Sequence, residues 1–382
     1  MDHVLIATAA FGIEAVVRRQ VEALGCEVIK TEDGKVTFRG DEADIVRANL
    51  HLRSADRVLL RMGEFEARTF EELFSEVKAM PWEDLVPRDG RVTVSGSSVR
   101  SVLRSVPACQ RIVKKAISDR LCEAYGLARL PETGTEFDVK VTLLKDRATV
   151  TVDTSGEGLH KRGYRVRTVE APIRETVAAA MIELSFWKPD RLLVDPCCGS
   201  GTIAIEAAMI GKNIAPGLSR GFACESWDMI PSEIWKRERK AAFEAIDQSA
   251  RLNIIAADID WRAEEAVREN ALEAGVDDAI SIRRADIRET LSNLPASGIM
   301  ITNPPYGERI GDEAQLAHIR GEMKDFFRKN PAWSLFVITT DKEFEQRVFG
   351  RKADRRRKLY NGRLETCYYQ FHGEKPSGKR PL

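Results

Sequence analysis

Hydrophobic and polar positions alternate in two different ways along the 382-residue chain. Up to about residue 155, strand patterns are separated by amphipathic helices, beginning with a strand over Val4–Thr8 and a helix over Gly12–Leu24. Hairpins are predicted around Glu32–Gly34 and between the strands Phe137–Leu144 and Arg147–Asp153. This part of the chain therefore predicts an α+β fold.

From about residue 190 the pattern becomes a repeat of short apolar strands followed by helices. The predicted strands cover Leu192–Val194, Asn253–Asp260, Ile280–Arg283, Gly298–Thr302 and Trp333–Thr339. A helix is predicted over Ala171–Trp187 just before this repeat, and a closing hairpin over Leu359–Phe371 follows it. Strands alternating with helices specify a doubly wound α/β sheet whose ligand lies at the carboxyl ends of the strands.

These patterns divide the chain into three predicted domains. Residues 1–58 have a β-α-β-β-α order that suggests a ferredoxin-like domain, and residues 59–155 form a second α+β domain. Residues 165–382 carry the doubly wound sheet. Within them, the stretch Gly211–Leu252 interrupts the repeat with alternating charges and several apolar residues, among them Trp227 and Trp235.

Composition and charge narrow the class of protein. Hydrophobic residues make up 43% of the chain, and 59 basic residues balance 59 acidic ones. No apolar run reaches the roughly 18 residues of a membrane span, and the start lacks the basic region of a secretory signal. The seven cysteines contain no CxxC pair. We therefore expect a cytoplasmic protein with free thiols and no metal or membrane contact.

The basic residues gather in three segments, Arg88–Lys115, His160–Arg174 and Arg347–Arg363. Such runs are often only solvated faces of helices. In a protein without net charge, three separate runs also favour binding to a polyanion, because the distribution of charge matters more than its sum.

Two short motifs carry the candidate chemistry. The first runs from Asp195 to Thr202, where an apolar strand meets a turn containing Gly199 and Gly201 and then a helix. Such a turn directs backbone N–H groups and a helix N-terminus at a ligand. The second is Asn303-Pro304-Pro305-Tyr306 at the end of another apolar strand, where two prolines with fixed φ hold the polar and aromatic side chains in place.

Together, in this order, the two motifs resemble those of the class I S-adenosylmethionine-dependent methyltransferases that modify exocyclic amino groups. The resemblance implies a Rossmann-like methyltransferase domain, with S-adenosylmethionine as cofactor and S-adenosylhomocysteine as product. A dinucleotide site fits less well, because the third glycine of G-x-G-x-x-G is missing, and a P-loop lacks its Gly-Lys-Ser/Thr.

The resemblance also implies roles for single residues. Asp195 is expected to fix the methionine end of the cofactor, Asp258 the ribose, and Asp286 the adenine amino group. Each aspartate could instead cap the helix that follows its strand, and Asp260 shares the local pattern of Asp258. The full set of predicted cofactor-binding residues is Glu175, Thr176, Asp195, Cys197, Gly199, Ser200, Gly201, Asp258, Ile259, Asp286 and Ile287.

The second motif implies the catalytic residues Asn303, Pro304, Pro305 and Tyr306. The lone pair of an exocyclic amine is delocalised into the base, so the amine is a poor nucleophile. Acceptors placed at its two protons, the Asn303 side-chain oxygen and the Pro304 carbonyl, would stabilise the positive charge that develops. Tyr306 would stack on an extruded base, and no general base is assigned.

The run from Val94 through Ile117 is similar to the THUMP domain of bacterial ribosomal-RNA guanine methyltransferases, which implies RNA capture. The predicted RNA-binding residues are Arg100, Arg104, Arg111, Lys114, Lys115, Lys161 and Arg162. The segment Gly221–Trp227 looks like an insertion of the ribosomal-RNA branch of this family, which the tRNA-modifying branch generally lacks.

The sequence thus predicts an RNA guanine-N2 methyltransferase of ferredoxin-like, THUMP and methyltransferase domains. Its expected partner is RNA, either 23S rRNA or a large-subunit precursor. Two alternatives stay open: a tRNA guanine methyltransferase of the same architecture, and an RNA-binding assembly factor with an inactive cofactor site. The target nucleotide and the oligomeric state are not determined by the sequence.

Overall fold

The computed structural model describes residues 2–169, 172–306, 312–362 and 364–374. These residues form two compact units. The first unit contains the described residues within Met1–Ala9, Val17–Leu159 and Arg220–Ala241. The second takes in those of Ala10–Val16, His160–Ser219 and Ala242–Leu382.

One mixed sheet of seven strands organises the first unit. The strands are β1 (His3–Ala9), β2 (Val28–Glu32), β3 (Lys35–Gly40), β4 (Ala55–Glu66), β5 (Arg91–Val99), β6 (Glu136–Leu144) and β7 (Arg147–Asp153). Their order is β2-β3-β1-β4-β7-β6-β5, with β5 and β6 parallel and the other pairs antiparallel. Alternate residues of β6 are buried, as expected for a sheet covered on one face.

The helices of this part of the chain include two with typical capping residues. They are α1 (Glu14–Ala23), α2 (Glu42–His51), α3 (Phe70–Ala79) and α4 (Val106–Tyr125), with a 3₁₀ turn at Trp82–Asp84. Thr69 caps α3, since its side chain accepts a hydrogen bond from the Glu72 N–H and the Glu72 side chain accepts one from the Thr69 N–H. Gly126 ends α4 in the left-handed region.

A second seven-stranded sheet organises the second unit and confirms the predicted doubly wound α/β architecture. Its strands are β8 (Leu193–Asp195), β9 (Ile254–Asp258), β10 (Ile280–Arg284), β11 (Ile299–Thr302), β12 (Ser334–Thr339), β13 (Arg355–Asn361) and β14 (Leu364–Phe371). Their order is β10-β9-β8-β11-β12-β14-β13. The first five are parallel, and β14 runs antiparallel to β12.

The helices that cover the parallel strands explain why those strands are apolar on both faces. The remaining helices are α5 (Glu175–Glu183), α6 (Thr202–Gly211), α7 (Ser232–Glu244), α8 (Trp261–Glu273), α9 (Ile287–Leu291) and α10 (Asp312–Lys329). Shorter turns lie at Ala223–Ser226, Asp277–Ala279 and Glu345–Phe349. Every residue of β11 and of β12 is buried.

The order of strands locates a crevice. The chain runs outward from β8 through β9 to β10, then returns to β11 on the other side of β8 and continues to β12. The strand order therefore reverses between β8 and β11. Ligands of open α/β sheets bind at the carboxyl ends of the strands at such a reversal.

Two predicted elements differ from the structure. The helix predicted over Ala171–Trp187 is α5, Glu175–Glu183, because Arg174 is extended and Ser185 forms local hydrogen bonds with Ile182 and Trp187 that compete with a further turn. Ala171 itself lies outside the described residues.

The predicted insertion belongs mainly to the first unit. Trp227 stacks on Phe137 of β6 with ring centroids 5.3 Å apart, and the Cys224 N–H donates to the Thr154 carbonyl. Sequence order places this stretch inside the third predicted domain, but its apolar side chains complete the core of the first unit. Among the described residues, no helix is both long enough and apolar enough to cross a membrane.

Candidate functional site

A cleft of about 1110 Å³ lies at the carboxyl ends of β8, β9 and β11. Ten of the predicted cofactor-binding and catalytic residues line it, namely Asp195, Cys197, Gly199, Ser200, Asp258, Ile259, Asn303, Pro304, Pro305 and Tyr306. The two sequence motifs, about one hundred residues apart in the chain, therefore share one cavity. Strands β8 and β11 are neighbours in the sheet, which brings their ends together.

The glycine turn between β8 and α6 needs its glycines. Gly199 and Gly201 have φ of 52° and 82°, a region that side chains disfavour. A Cβ on Gly201 would lie 2.8 Å from Val267 of α8, and one on Gly199 would lie 3.2 Å from Val169. The turn is thus packed against α8 and against the segment before α5, and its backbone is exposed to the cleft at Gly199 and Ser200.

Asp195 ends β8 and is 1% exposed. Its Oδ1 accepts hydrogen bonds from the Thr302 hydroxyl at 2.7 Å and from the Cys197 N–H at 3.2 Å. Burial raises the pKa of Asp195 to about 7, against the opposing effect of these hydrogen bonds. Thr302 directly precedes Asn303, so one hydrogen bond joins the two motifs.

Cys197 lies in the same cleft. Burial raises the pKa of its thiol well above the usual value, and the nearby carboxylates of Asp195 and Asp258 add to the effect. The sulfur is therefore a neutral thiol at physiological pH. A neutral thiol is a poor nucleophile, so the cleft presents acceptors and apolar surface rather than a thiolate.

The structure separates the two aspartates after β9. Asp258 accepts hydrogen bonds from the Gly199 N–H and the Asp260 N–H, each at 3.0 Å, and burial raises its pKa. Asp260 instead caps α8 and pairs with Arg262, which lowers its pKa. Both line the cleft, as does Ile259 between them, whose side chain is 56% exposed.

The predicted residues after β10 are placed differently. Asp286 caps α9, and both of its carboxylate oxygens lie 3.1 Å from His318 Nε2. Ile287 is buried in the hydrophobic core of the second unit. Neither is among the described residues that line the cleft. Asp286 therefore has the contacts of a helix cap, and it also contacts His318.

Glu175 and Thr176 begin α5 and are both buried. The Glu175 carboxylate accepts a hydrogen bond from Arg165 Nε at 2.7 Å. They, like Gly201, are absent from the described lining of the cleft. Glu175 is linked to the glycine turn through Arg165, which also donates to the Ser200 hydroxyl.

In the catalytic motif, the Tyr306 hydroxyl donates to Asn303 Oδ1 at 2.7 Å. An amide oxygen has two lone pairs, so Asn303 keeps one acceptor position for a ligand. This bond orients the Asn303 amide relative to the Tyr306 ring.

The predicted RNA-binding side chains have different surroundings. Arg100 and Arg104 are exposed and line a second cavity of about 590 Å³ in the first unit. Arg111 and Lys115 are exposed on α4, and Lys115 Nζ lies 5.7 Å from the centre of the Phe74 ring. Lys161 is exposed on the connector before α5.

Two of the predicted RNA-binding cations are engaged within the protein. Lys114 bonds to the Glu132 carboxylate and the Val92 carbonyl. Arg162 is 3% exposed, and its guanidinium pairs with the buried Glu206. A buried guanidinium cannot reach a phosphate, so we do not expect Arg162 to bind RNA.

Several residues of the site were not predicted from the sequence. Thr302 stands at the end of an apolar strand, and Arg165 lies within a basic run, so neither is distinguished by its local pattern. Asn270 occupies the interior of α8, where asparagine is unfavourable without a specific partner, and this could have marked it. Trp261 lines the cleft and is 56% exposed, although the other five tryptophans are buried.

Comparison with known families gives three matches along the chain. Residues 4–59 match the RlmL ferredoxin-like domain, residues 67–153 the THUMP domain, and residues 162–370 the RMKL-like methyltransferase domain. The last match alone covers more than half of the chain.

Individual relatives agree with this assignment. The chain is 48% identical over 371 residues to YpsC of Bacillus subtilis (strain 168), named as an RNA methyltransferase, covering 97% of this chain and 96% of that protein. It is 36% identical to the ribosomal RNA large subunit methyltransferase K/L of Syntrophotalea carbinolica, covering 96% of this chain but 53% of that longer protein. The solved structure of SMU.472, described as a methyltransferase complexed with SAH, is 45% identical with a TM-score of 0.91, covering 98% of this chain and 99% of that chain.

Proposed function

The chain belongs to the family of RMKL-like methyltransferases, and we propose that it methylates the exocyclic N2 of a guanine in 23S ribosomal RNA. The observation that carries the proposal is the shared cleft of the two motifs, joined by the 2.7 Å hydrogen bond between Thr302 and Asp195. A cofactor on one motif would therefore lie beside a substrate on the other.

The described residues fit S-adenosylmethionine, the cofactor of this fold. The backbone at Gly199 and Ser200 is open to the cleft, so a ligand can approach it closely. Asp195 offers a buried carboxyl for the positive charge of the methionine end, and Asp258 a carboxylate for ribose hydroxyls. Ile259 offers exposed apolar surface for the adenine ring. When bound, the cofactor supplies a methyl group activated by a positively charged sulfur.

Asn303 and Pro304 are proposed to act on the amine that receives the methyl group. Their oxygens can accept hydrogen bonds from its two protons, which draws the nitrogen towards tetrahedral geometry. The acceptors are in place before the reaction, because two prolines and the Tyr306 hydroxyl restrict their motion. Preorganised acceptors stabilise the charge that develops on the amine without a cost of reorientation.

Tyr306 is proposed to hold the target base after it leaves the RNA stack. Stacking on an aromatic ring contributes about 1–3 kcal/mol per base, comparable to the cost of extruding it. The same residue would then both position the base and orient Asn303 through its hydroxyl. No residue is assigned as a general base, because the methylated amine can release its proton to water.

RNA capture is assigned to the THUMP region of the first unit. Arg100, Arg104 and Arg111 are exposed there, and Lys161 is exposed on the connector. Contacts of this kind neutralise phosphates and are salt-sensitive, but they carry little sequence information. Large-subunit rRNA as the substrate is supported by the name of the K/L relative, and guanine by the resemblance to the guanine methyltransferases.

Three further parts of the proposal concern context and residue roles. We place the reaction in the cytoplasm, consistent with seven free cysteines. The domain ranges 1–58, 59–155 and 165–382 and the substrate-facing roles of the site residues are likewise proposals.

Methylation in vitro tests the proposal. The protein is incubated with labelled S-adenosylmethionine and with 23S rRNA, 16S rRNA or tRNA from a strain that lacks the gene, and the nucleosides are identified by mass spectrometry. We expect N2-methylguanosine in 23S rRNA and its loss in the Asn303→Ala variant.

The other outcomes are equally informative. N6-methyladenosine would overturn the guanine assignment, and a mark in tRNA would replace the ribosomal substrate. Binding of S-adenosylhomocysteine without methylation of any RNA would favour the assembly-factor alternative.

A further inference from the structure

The glycine turn is held by two polar side chains that lie behind it rather than in the cleft. Asn270 of α8 is completely buried and uses all four hydrogen-bonding positions of its amide. Its Oδ1 accepts from the Val166 and Arg167 N–H groups, each at 3.0 Å. Its Nδ2 donates to the Arg167 carbonyl at 2.9 Å and to the Ser200 carbonyl at 3.1 Å.

Arg165 binds the same turn through its side chain. Its Nη1 donates to the Ser200 hydroxyl and one Nη2 hydrogen bond goes to the Thr202 hydroxyl, both at 2.9 Å. Nη2 also donates to the Ile173 carbonyl at 3.1 Å, and Nε to Glu175 at 2.7 Å. The planar guanidinium thus ties the turn to the start of α5 as well as to the start of α6.

Ser200 is therefore bonded from both sides, its carbonyl by Asn270 and its hydroxyl by Arg165. The connector that carries Arg165 continues along the cleft, because Arg167, Thr168 and Val169 are among its lining residues. Asn270 and Arg165 together donate three hydrogen bonds to this short segment, two to Ser200 and one to Thr202.

From this geometry we propose that Arg165 and Asn270 are positioning residues for the cofactor, acting through the glycine turn, and that Glu175 serves by orienting Arg165. They hold the backbone of Gly199 and Ser200 in the shape that accepts S-adenosylmethionine before it binds. Preorganisation of this kind raises affinity because the free protein has less conformational freedom to lose. The inference rests on the cofactor site of the proposed function and not on which base is methylated.

The test measures binding of S-adenosylhomocysteine to the full chain by calorimetry, for Asn270→Ala, Arg165→Lys and a matched control. Asn49 is the control, because it is 1% exposed and its amide also bonds to three partners, but it lies in the first unit. Arg165→Lys keeps the charge beside Glu175, yet its single ammonium cannot reach acceptors on three separate segments.

We expect Asn270→Ala and Arg165→Lys to weaken binding at least about tenfold, the equivalent of about one lost hydrogen bond. Asn49→Ala should bind within about twofold of wild type, although it loses a comparable set of hydrogen bonds. Amide exchange over residues 198–203 should accelerate in both test variants. KM for S-adenosylmethionine should rise while KM for RNA stays unchanged.

Wild-type affinity in both Arg165→Lys and Asn270→Ala would overturn the proposal. Equal weakening in Asn49→Ala would also overturn it, because the effect would then reflect lost stability in general. Should Asn270→Ala fail to fold, Arg165→Lys decides alone, since this substitution keeps the positive charge and leaves the core of α8 intact. Failure of the guanine assignment would leave all of these binding results unaffected.

Discussion

Cofactor affinity should rise with pH because of Asp195. Its carboxyl is 1% exposed, and burial raises its pKa to about 7. The methionine end of the cofactor carries an α-ammonium group, which should bind well only to the ionised form of Asp195. Between pH 6 and pH 7.5 the ionised fraction of a group with this pKa rises from about 9% to about 76%. The dissociation constant should therefore fall about eightfold over that range.

Calorimetry with S-adenosylhomocysteine measures this effect, since the product retains the α-ammonium group. Titrations at pH 6.0, 6.5, 7.0 and 7.5, in two buffers of different ionisation enthalpy, also report the proton released on binding. The matched variant is Asp195→Asn, which keeps the shape of the side chain but cannot ionise. Its affinity should be lower and independent of pH between these limits.

The same pKa has the opposite effect on the stability of the cofactor-free protein. The folded-state pKa lies above the unfolded value, so the stability that protonated Asp195 contributes is lost as pH rises from about 4 to 7. The loss is on the order of 4 kcal/mol. Asp195→Asn should therefore gain stability relative to wild type as pH increases, as measured by urea unfolding at pH 5 and pH 8.

Two results would refute this reasoning. A flat wild-type affinity between pH 6 and pH 7.5 would show that Asp195 does not titrate there or does not meet the cation. An eightfold change that persists in Asp195→Asn would assign the titration to another group.

Three further predictions concern the catalytic motif, the glycine turn and the RNA surface. Tyr306→Ala should raise KM for RNA about five- to 150-fold, because stacking on the base is lost. Tyr306→Phe keeps the ring but loses the hydrogen bond to Asn303, so KM should stay unchanged and kcat should fall. Equal kinetics for the two variants would contradict a stacking role. Gly201→Ala should cost on the order of 1–3 kcal/mol and weaken S-adenosylhomocysteine binding, because its φ is 82° and the new Cβ meets a valine of α8 at 2.8 Å. The control is Gly25→Ala, because Gly25 has a φ of 83° and no atom within 4 Å of the new Cβ. The steric argument would be refuted if the two variants lost equal stability in thermal unfolding and Gly201→Ala still bound S-adenosylhomocysteine like the wild type. Replacing Arg100 and Arg104 by alanine should reduce the slope of log affinity against log salt by about 1.4–1.8 in filter binding, and an unchanged slope would exclude phosphate contacts by these residues.

The local signals in the sequence predicted most elements of the fold. Continuous apolar runs such as Trp333–Thr339 indicated buried strands, and the structure forms this one over Ser334–Thr339. These signals act within a few residues, since they depend on backbone preferences and on the spacing of apolar side chains. The helix predicted over Ala171–Trp187 was too long because Ser185 forms competing local hydrogen bonds.

Residues with the same local pattern received different roles from packing. Asp258, Asp260 and Asp286 all follow strands, yet Asp260 and Asp286 cap helices. Asp258 instead bonds to the Gly199 N–H, 59 residues away. Likewise Arg162 is as basic as Lys161 in the sequence, but it is buried against Glu206. No local rule separates members of these sets, because their partners come from distant segments.

By itself, then, the sequence determined the alternating β-α architecture and the two motifs at the ends of apolar strands, because both are written in short stretches of chain. The tertiary structure decided that these motifs share one cleft, that Asn270 and Arg165 hold the glycine turn, and that the segment Arg220–Ala241 packs with the first unit. Those features depend on which segments the folded chain brings within hydrogen-bonding distance or into a common core. Such distances are set by the packing of whole sheets and helices.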